Sequence, residues 1–348
     1  MALDVPSKKS VRKAGEVLAS SPEIDVAALD VLSKWRHIHA HPINTFQAYL
    51  RKKVKVLGFK NPIVAQRLKR TPSIIEKLRR FPEMRLDRMQ DIGGLRVILS
   101  SIQDVLVLHR TIANSQTFRH QLVLPPKDYI QSPKSDGYRS LHQVIKYNSA
   151  GHPELNGLRV EIQLRTKLQH SWATAVETLG MIEKSSFKTG HGDEDTKRFF
   201  KLASALFSID EGQPLLAEYS GKTSKEILSE FIELEGRLQI LVKLEGLAIS
   251  GNHIDSVMKD YSGYHVMQLF ASDKLVRLQP FSELKDAESF YSARERETAS
   301  DDSVSVVLIN AGNLKEIKKA YPNYFLDTKA FLRNIARITK AIALKPDV

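Results

Sequence analysis

The nine residues from Leu158 to Thr166 constrain the fold more than any others in this chain, because they alternate without a break. Leu158, Val160, Ile162 and Leu164 point one way, and Arg159, Glu161, Gln163 and Arg165 the other. That is the period-two signature of a strand buried on one face. A carboxylate between two arginines on the wet side suits plain solvation or a polar site. Taken alone the strand favours solvation, because charged residues ordinarily sit at the surface. Its company elsewhere in the chain shifts the balance.

With 348 residues the chain is about twice the length of an average domain, so two domains, or one with a large appendage, are expected. Lys and Arg outnumber Asp and Glu by 52 to 40, a net charge of +12 that points to phosphate-bearing partners such as nucleotides, RNA or anionic surfaces. Thirteen basic residues against three acidic ones fall between Arg51 and Arg88, so nearly the whole excess lies in one segment. There is no cysteine, which excludes disulfides and thiolate metal sites. The N-terminus has no apolar run long enough for a signal peptide or a membrane anchor, so a cytoplasmic protein with no membrane partner is expected.

Read in order, residues 1 to about 22 are polar and predict a frayed arm. A helix is expected from Ile24 to Ile38, broken by His41-Pro42, and a second from Ile43 to Leu57 with Arg51, Lys52, Lys53 and Lys55 on its wet side. Thr71-Pro72-Ser73 marks a helix start, with Thr71 able to cap and Pro72 suited to the first turn. That end, flanked by Arg67 and Lys69, is expected to attract phosphate. Asp91 to Leu99 reads as a strand opening on a carboxylate and the pair Gly93-Gly94, where a backbone can approach a ligand or bulge. A helix from Ile102 to about Asn114 follows, and then Lys127 to His142, a basic, aromatic and turn-rich loop leading into a strand at Gln143 to Tyr147. After the alternating strand, Leu168, Trp172, Ala175, Val176 and Leu179 make a helix. His191 to Asp195 resembles a metal cluster but reads better as an acidic loop. Ser220 to Thr223 resembles the end of a phosphate-binding loop, yet Leu216 stands where that motif needs glycine, and a glycine cap before a new helix from Ser224 to Ile249 is the better account. From Tyr264 onward a ββαβ pattern ending in two helices predicts a small α/β domain. The expected division is 1–42 arm and helix, 43–190 main α/β domain, 191–252 helical connector and 253–348 small domain.

Four pieces ask for one explanation: Arg67, Lys69, Ser73 and Lys77; Asp91 and Arg96; Lys127, Lys134, Tyr138 and His142; Glu161 and Gln163. Two carboxylates among many cations suit transfer of a phosphoryl-type group, with Asp91 able to hold Mg²⁺ and Glu161 to share the metal or take a hydroxyl proton. Tyr138, between glycine and arginine, offers a face for a base.

These motifs carry a resemblance to the RelA/SpoT family of (p)ppGpp synthetases, and more closely to its single-domain small alarmone synthetases. It runs from about Phe46 to Gly180 on Arg-x-Lys-x3-Ser-Ile-x2-Lys at 67–77, Asp-Ile-x-Gly-x-Arg at 91–96, the 127–142 loop, and Glu-Ile-Gln-x-Arg-Thr at 161–166. The resemblance implies a nucleotidyltransferase-like mixed β-sheet flanked by helices, here with helical extensions and the small C-terminal domain. It also implies transfer of pyrophosphate from ATP to the 3′-hydroxyl of GDP or GTP, with AMP leaving. In that scheme Arg67 and Arg96 sandwich the adenine, Lys69, Ser73 and Lys77 serve the ATP side, and Asp91 binds Mg²⁺. Glu161 activates the hydroxyl, Tyr138 stacks on guanine, and Lys127, Lys134, His142 and Gln163 serve the acceptor. Assembly into a homo-oligomer is left open. None of the eleven histidines is followed by Asp, so the family's hydrolase activity is not expected. Pro125-Pro126 before Lys127 departs from the bifunctional enzymes and leaves GDP against GTP open. Toxic relatives pyrophosphorylate the 3′ end of tRNA instead, and the basic segment keeps that alternative in play beside a non-catalytic nucleotide- or RNA-binding relative.

Overall fold

A computed structural model of the chain describes residues 4–20, 25–115, 118–182, 194–238, 240, 241, 244, 263–270, 275–298, 304–311 and 328–344. Five strands, β1 (Ile63–Leu68), β2 (Gly93–Leu99), β3 (Gln121–Asp128), β4 (Leu141–Lys146) and β5 (Arg159–Thr166), form one sheet of order β1-β2-β5-β4-β3. β2 and β5 run parallel, and every other neighbouring pair is antiparallel. The sheet is therefore mixed, with the alternating strand at its centre. Val160, Ile162 and Leu164 are fully buried. They belong to a core with Phe46, Leu50 and Val54 of α3 (Ala40–Val56) and Val105, Leu108 and Ile112 of α5 (Ile102–Ala113). Each such side chain removed from water contributes roughly 1.5–3 kcal/mol.

Several boundaries differ from expectation. The N-terminal segment is not a frayed arm: α1 (Lys8–Ser20) buries Val11, Ala14 and Leu18, whose spacing makes one apolar stripe on an otherwise polar helix. Gly15 lies so close to Leu86 that a Cβ there would stand 2.6 Å from the leucine Cβ. After α2 (Val26–His37), capped by Asp25, the pair His41-Pro42 starts α3 instead of breaking a helix. Proline in a first turn forfeits no intrahelical bond. β1 and β3, which the sequence pattern did not announce, are the two edges of the sheet, where half-exposed residues blur the alternation. β3 also shifts register between Val123 and Lys127, around its two prolines.

The domain division changes as well. α6 (Lys167–Ile182), α7 (Glu194–Glu211) and α8 (Ser224–Leu238) share a second core, so the expected boundary near 190 runs through one packed unit. α8 opens on a capping box in which Thr223 and Glu226 exchange hydrogen bonds. The small unit consists of β6 (Gly263–Phe270), β7 (Leu275–Phe281), α9 (Leu284–Glu297) and β8 (Val304–Ala311), an antiparallel sheet of order β7-β6-β8 with a modest core of Val266, Ala287, Tyr291 and Val306. The last helix, α10 (Lys329–Ala343), does not join it. Phe331, Ile335, Ile338 and Ile342 repeat at helical spacing and enter the core of α6, α7 and α8. The other C-terminal helix expected from the sequence, and the first part of the His191–Asp195 segment, lie outside the described residues.

The small unit meets the rest of the chain where β8 approaches β1 and where α9 lies against α2, with Glu288 3.5 Å from His37 and a buried charged contact beside it. Arg36 of α2 is 3% exposed and pairs with Glu295 and the Tyr291 hydroxyl of α9. It also donates to Lys69 O at 2.9 Å and to Thr71 Oγ1 at 2.9 Å. Glu295 Oε1 accepts from the Thr71 amide at 3.0 Å, the first amide of α4 (Thr71–Arg80). Thr71 is thus a helical residue and not the cap, and the anion at this N-terminus is a carboxylate from α9 where the sequence suggested a phosphate. Among the described residues no helix is long and apolar enough to cross a membrane.

Candidate functional site

Register places the motif residues in rows. Residues paired across neighbouring strands share a face, so one row reads Arg67, Gly94, Glu161, Val144. The next reads Ala65, Arg96, Gln163, His142, Lys127 across all five strands. Six motif residues from different parts of the chain therefore stand on the face opposite the first core. The glycine pair divides its work between the two faces. A Cβ on Gly93 would stand 2.9 Å from Ile43 Cδ1, so that glycine admits α3. A Cβ on Gly94 would meet only backbone oxygens at 3.6 Å and beyond, so the space over Gly94, between Arg67 and Glu161, is open.

Asp91 stands just before β2, and each of its oxygens holds one lysine: Lys69 Nζ at 3.0 Å and Lys77 Nζ at 2.9 Å. Burial pushes the Asp91 carboxyl up, but Lys69 and Lys77 outweigh it and hold it below the usual carboxylate range. Lys69 is itself pushed down by burial, which the Asp91 charge only partly offsets. Ser73 lies half-buried in the first turn of α4, and Arg67 and Arg96 are half-buried on β1 and β2.

Glu161 belongs to a closed ring of hydrogen bonds. His142 Nδ1 lies 3.1 Å from Glu161 Oε1, and Gln163 Nε2 donates to Oε2 at 2.9 Å. Arg165 Nη2 donates to Gln163 Oε1 and to the Tyr138 hydroxyl, both at 2.7 Å. The Tyr138 hydroxyl lies 2.9 Å from His142 Nε2, which completes the circuit. With a proton on Nδ1, His142 donates to Glu161, and its Nε2 meets the Tyr138 hydroxyl. Burial raises the Glu161 carboxyl, but His142 and then Gln163 outweigh it and hold it far below the usual range.

Tyr138 is less open than its sequence suggests. Its ring is half-buried, with Lys134 Nζ 4.9 Å and Arg165 Cζ 5.3 Å from the centroid, and burial pushes its hydroxyl up. Lys134 also lies 4.7 Å from the centre of Tyr129, so its ammonium is shared by two tyrosines. Lys127 is exposed on the edge strand. Tyr129 and Arg165 carry no role in the motif reading. Arg165 was legible as a neighbour of Glu161 from the alternation alone, whereas Tyr129 meets the site only through the fold of its loop. Among the described residues no group of three or more His, Asp or Glu gathers as a metal cluster.

Residues 66–189 match the family model described as the region found in RelA / SpoT proteins. The chain is 34% identical over 146 residues to GTP pyrophosphokinase YjbM of Bacillus subtilis, covering 38% of this chain and 68% of that one. It is 34% identical over 122 residues to GTP pyrophosphokinase YwaC of the same organism, covering 33% and 56%. A crystal structure of small alarmone synthetase 1 from Bacillus subtilis bound to its product pppGpp aligns at 27% identity and a TM-score of 0.43, covering 50% of this chain and 90% of that one. The matched region holds β2, β3, β4 and β5, with Asp91, the 127–142 loop and Glu161 on one face. With two thirds of a 34% identical relative covered, the chain belongs to the RelA/SpoT family.

Proposed function

We propose that the protein is a pyrophosphokinase that moves the β,γ-pyrophosphoryl group of ATP to the 3′-hydroxyl of GDP or GTP. The observation that carries this reading is the pair of ionised carboxylates, Asp91 just before β2 and Glu161 on the parallel neighbour β5, beside the open space over Gly94. The acceptor's 3′-oxygen forms a bond to the β-phosphorus, the bond from that phosphorus to the α–β bridging oxygen breaks, and AMP leaves. The hydroxyl proton goes to Glu161. Little covalent chemistry falls to the protein, so positioning and charge dominate. Glu161 is held in place by His142 and Gln163 and presents a fixed acceptor to the hydroxyl.

On the donor side Arg67 and Arg96 are diagonal neighbours on β1 and β2, a spacing of roughly 7–8 Å. A flat base fits between two guanidiniums at that separation. Lys69 and Lys77 are placed to receive the phosphates, and Ser73 lies one turn away on α4. On the acceptor side Lys127, Lys134 and His142 supply cations and donors around Tyr138, whose ring stacks on guanine once Lys134 yields its place. Mg²⁺ fits the residues present. It takes oxygen ligands and needs only one or two carboxylates besides phosphates, and Asp91 and Glu161 supply hard oxygens of that kind. Asp91 and Glu161 would hold it, and it would neutralise charge developing on the transferred group.

The test is incubation with β-labelled ATP and Mg²⁺ in the presence of GDP, GTP or tRNA. Label on GDP or GTP is expected, together with AMP. Label on tRNA alone would replace this reading with the tRNA one, and no label on any acceptor would make the chain a binding relative. The exposed basic residues Arg51, Lys52 and Lys55 lie on the outer side of α3, whose apolar stripe packs on the face of the sheet away from Glu161. Nothing about their position favours a long polynucleotide on the catalytic face.

A further inference from the structure

The loop that carries Tyr138 is fastened from outside the matched region. Gly137 has φ +91°, and a Cβ there would stand 3.0 Å from Ser204 Cβ, 3.3 Å from Trp172 Cζ2 and 3.4 Å from Lys201 Cα. The loop backbone therefore lies directly on α6 and α7, in a conformation that favours glycine. At the point of contact Ser204 of α7, 2% exposed, uses its hydroxyl twice. Oγ donates to Gly137 O at 2.6 Å and accepts from Arg139 Nε at 3.2 Å. One oxygen thus grips the residue before Tyr138 and the residue after it.

Arg139 completes the fastening. It is 3% exposed and donates through Nη1 to Ile130 O at 3.0 Å, tying the end of the loop to its beginning. Burial pushes its guanidinium down to about 10, with Glu211 of α7 opposing that shift. Its Nη2 has no hydrogen-bond partner among the described residues. A buried guanidinium with one amine unserved depends heavily on the bonds it does make. Tyr138, between these two grips, is the member of the polar ring that joins His142 to Arg165.

We propose that Ser204 is a positioning residue for the acceptor side of the reaction: its single hydroxyl, bridging Gly137 O and Arg139 Nε, sets the placement of Tyr138 over the catalytic face. This rests on the reading of Tyr138 as the guanine platform. It adds that a helix beyond the 66–189 segment that matches the family model governs acceptor affinity. Donor contacts are spared, because Arg67, Lys69, Lys77 and Arg96 sit on β1, β2, α4 and the turns between them, none of which touches α7 through Ser204.

The neighbouring Ser208 provides the control. It is fully buried on the same helix, yet its hydroxyl donates only to Ser204 O within α7, at 2.7 Å. Initial rates of the purified full chain are measured with acceptor varied at saturating ATP, and with ATP varied at saturating acceptor. Ser204→Ala is expected to raise the acceptor KM about tenfold, the scale of a lost hydrogen bond to a charged group, and to leave the KM for ATP within twofold. Ser204→Cys, which keeps the volume and a weak donor, is expected to show the same split to a smaller degree, and it serves if the alanine variant does not fold. Ser208→Ala is expected to change neither KM, even where its melting temperature drops as far. An unchanged acceptor KM in Ser204→Ala, a parallel rise in both KM values, or the same split in Ser208→Ala would overturn the proposal. If the wild-type chain labels neither GDP nor GTP, it is the functional reading that fails. Amide exchange at residues 137–139 then decides on Ser204 alone: faster exchange in Ser204→Ala than in Ser208→Ala supports the bridge, and equal exchange refutes it.

Discussion

Glu161 and Asp91 are both carboxylates set among cations, yet they are held in different ways. Asp91 is gripped by two ammonium groups, whose long side chains let a phosphate compete for them, whereas Glu161 is held by the imidazole and amide of a closed ring. Glu161→Gln keeps the shape and removes the charge, so transfer is expected to fall roughly 10²–10⁴-fold, and the melting temperature at pH 7 is expected to drop because the stability held by the ionised carboxylate goes with the charge. Single-turnover rates and a thermal melt check the two halves. The pH response follows from the same two groups. Both carboxyls are depressed in the folded state, so each contributes stability that is fully present above its unfolded pKa, about 4, and is lost as pH falls through the lower folded value. Denaturant midpoints are expected to hold from pH 7 down to about 4.5 as far as these two groups are concerned, and to fall below that. An acid limb in the rate near pH 6 would belong to another group. At this scale much was legible: alternation alone put Glu161, Gln163 and Arg165 on one face. The ring that closes through Tyr138 was not, because it depends on a loop residue meeting a strand residue 27 positions away.

Among the elements, β2 shows how two adjacent glycines serve opposite faces of one strand. Gly93→Ala drives a methyl to 2.9 Å from the buried Ile43 side chain, and overpacking of this kind costs about 1–3 kcal/mol. Gly94→Ala meets nothing closer than ordinary contact, so stability is expected to stay the same while the methyl intrudes on the space between Arg67 and Glu161. Urea unfolding should separate the pair one way and turnover the other; equal loss of stability in both would remove the distinction. The sequence marked the pair as special but left ligand approach and bulging as alternatives, since which face each glycine serves depends on where α3 packs. The strands at the two edges escaped for a related reason. β3 carries two prolines and exposed residues in place of a clean alternation, and β1 sits at an edge where burial is only partial. α1 was hidden by composition: a stripe of Val11, Ala14 and Leu18 is narrow beside its many charges.

Across the whole molecule, the chain passes from the first core into the second, leaves it to build a small sheet with its own core, and returns to it. The small unit is fastened to the rest through β8 against β1 and through α9 on α2, where Arg36 meets Tyr291 and Glu295. Glu295→Ala leaves a guanidinium buried without its counter-charge and is expected to destabilise by about 3–5 kcal/mol, whereas replacing Arg36 and Glu295 together by apolar residues of similar size should recover most of that. Equilibrium unfolding of the two variants tests it, and a negligible loss in the single variant would mean that water reaches Arg36. α10 has a further consequence, one of timing. During synthesis the central sheet and its own helices are complete by about Ile182, but the core that contains α7, and with it Ser204, lacks Phe331, Ile335, Ile338 and Ile342 until roughly ninety residues after α8 have been made. At ribosomal speeds that is a wait of roughly 5–20 s. For that interval the nascent chain holds a finished set of strands whose Tyr138 loop rests on an unfinished floor.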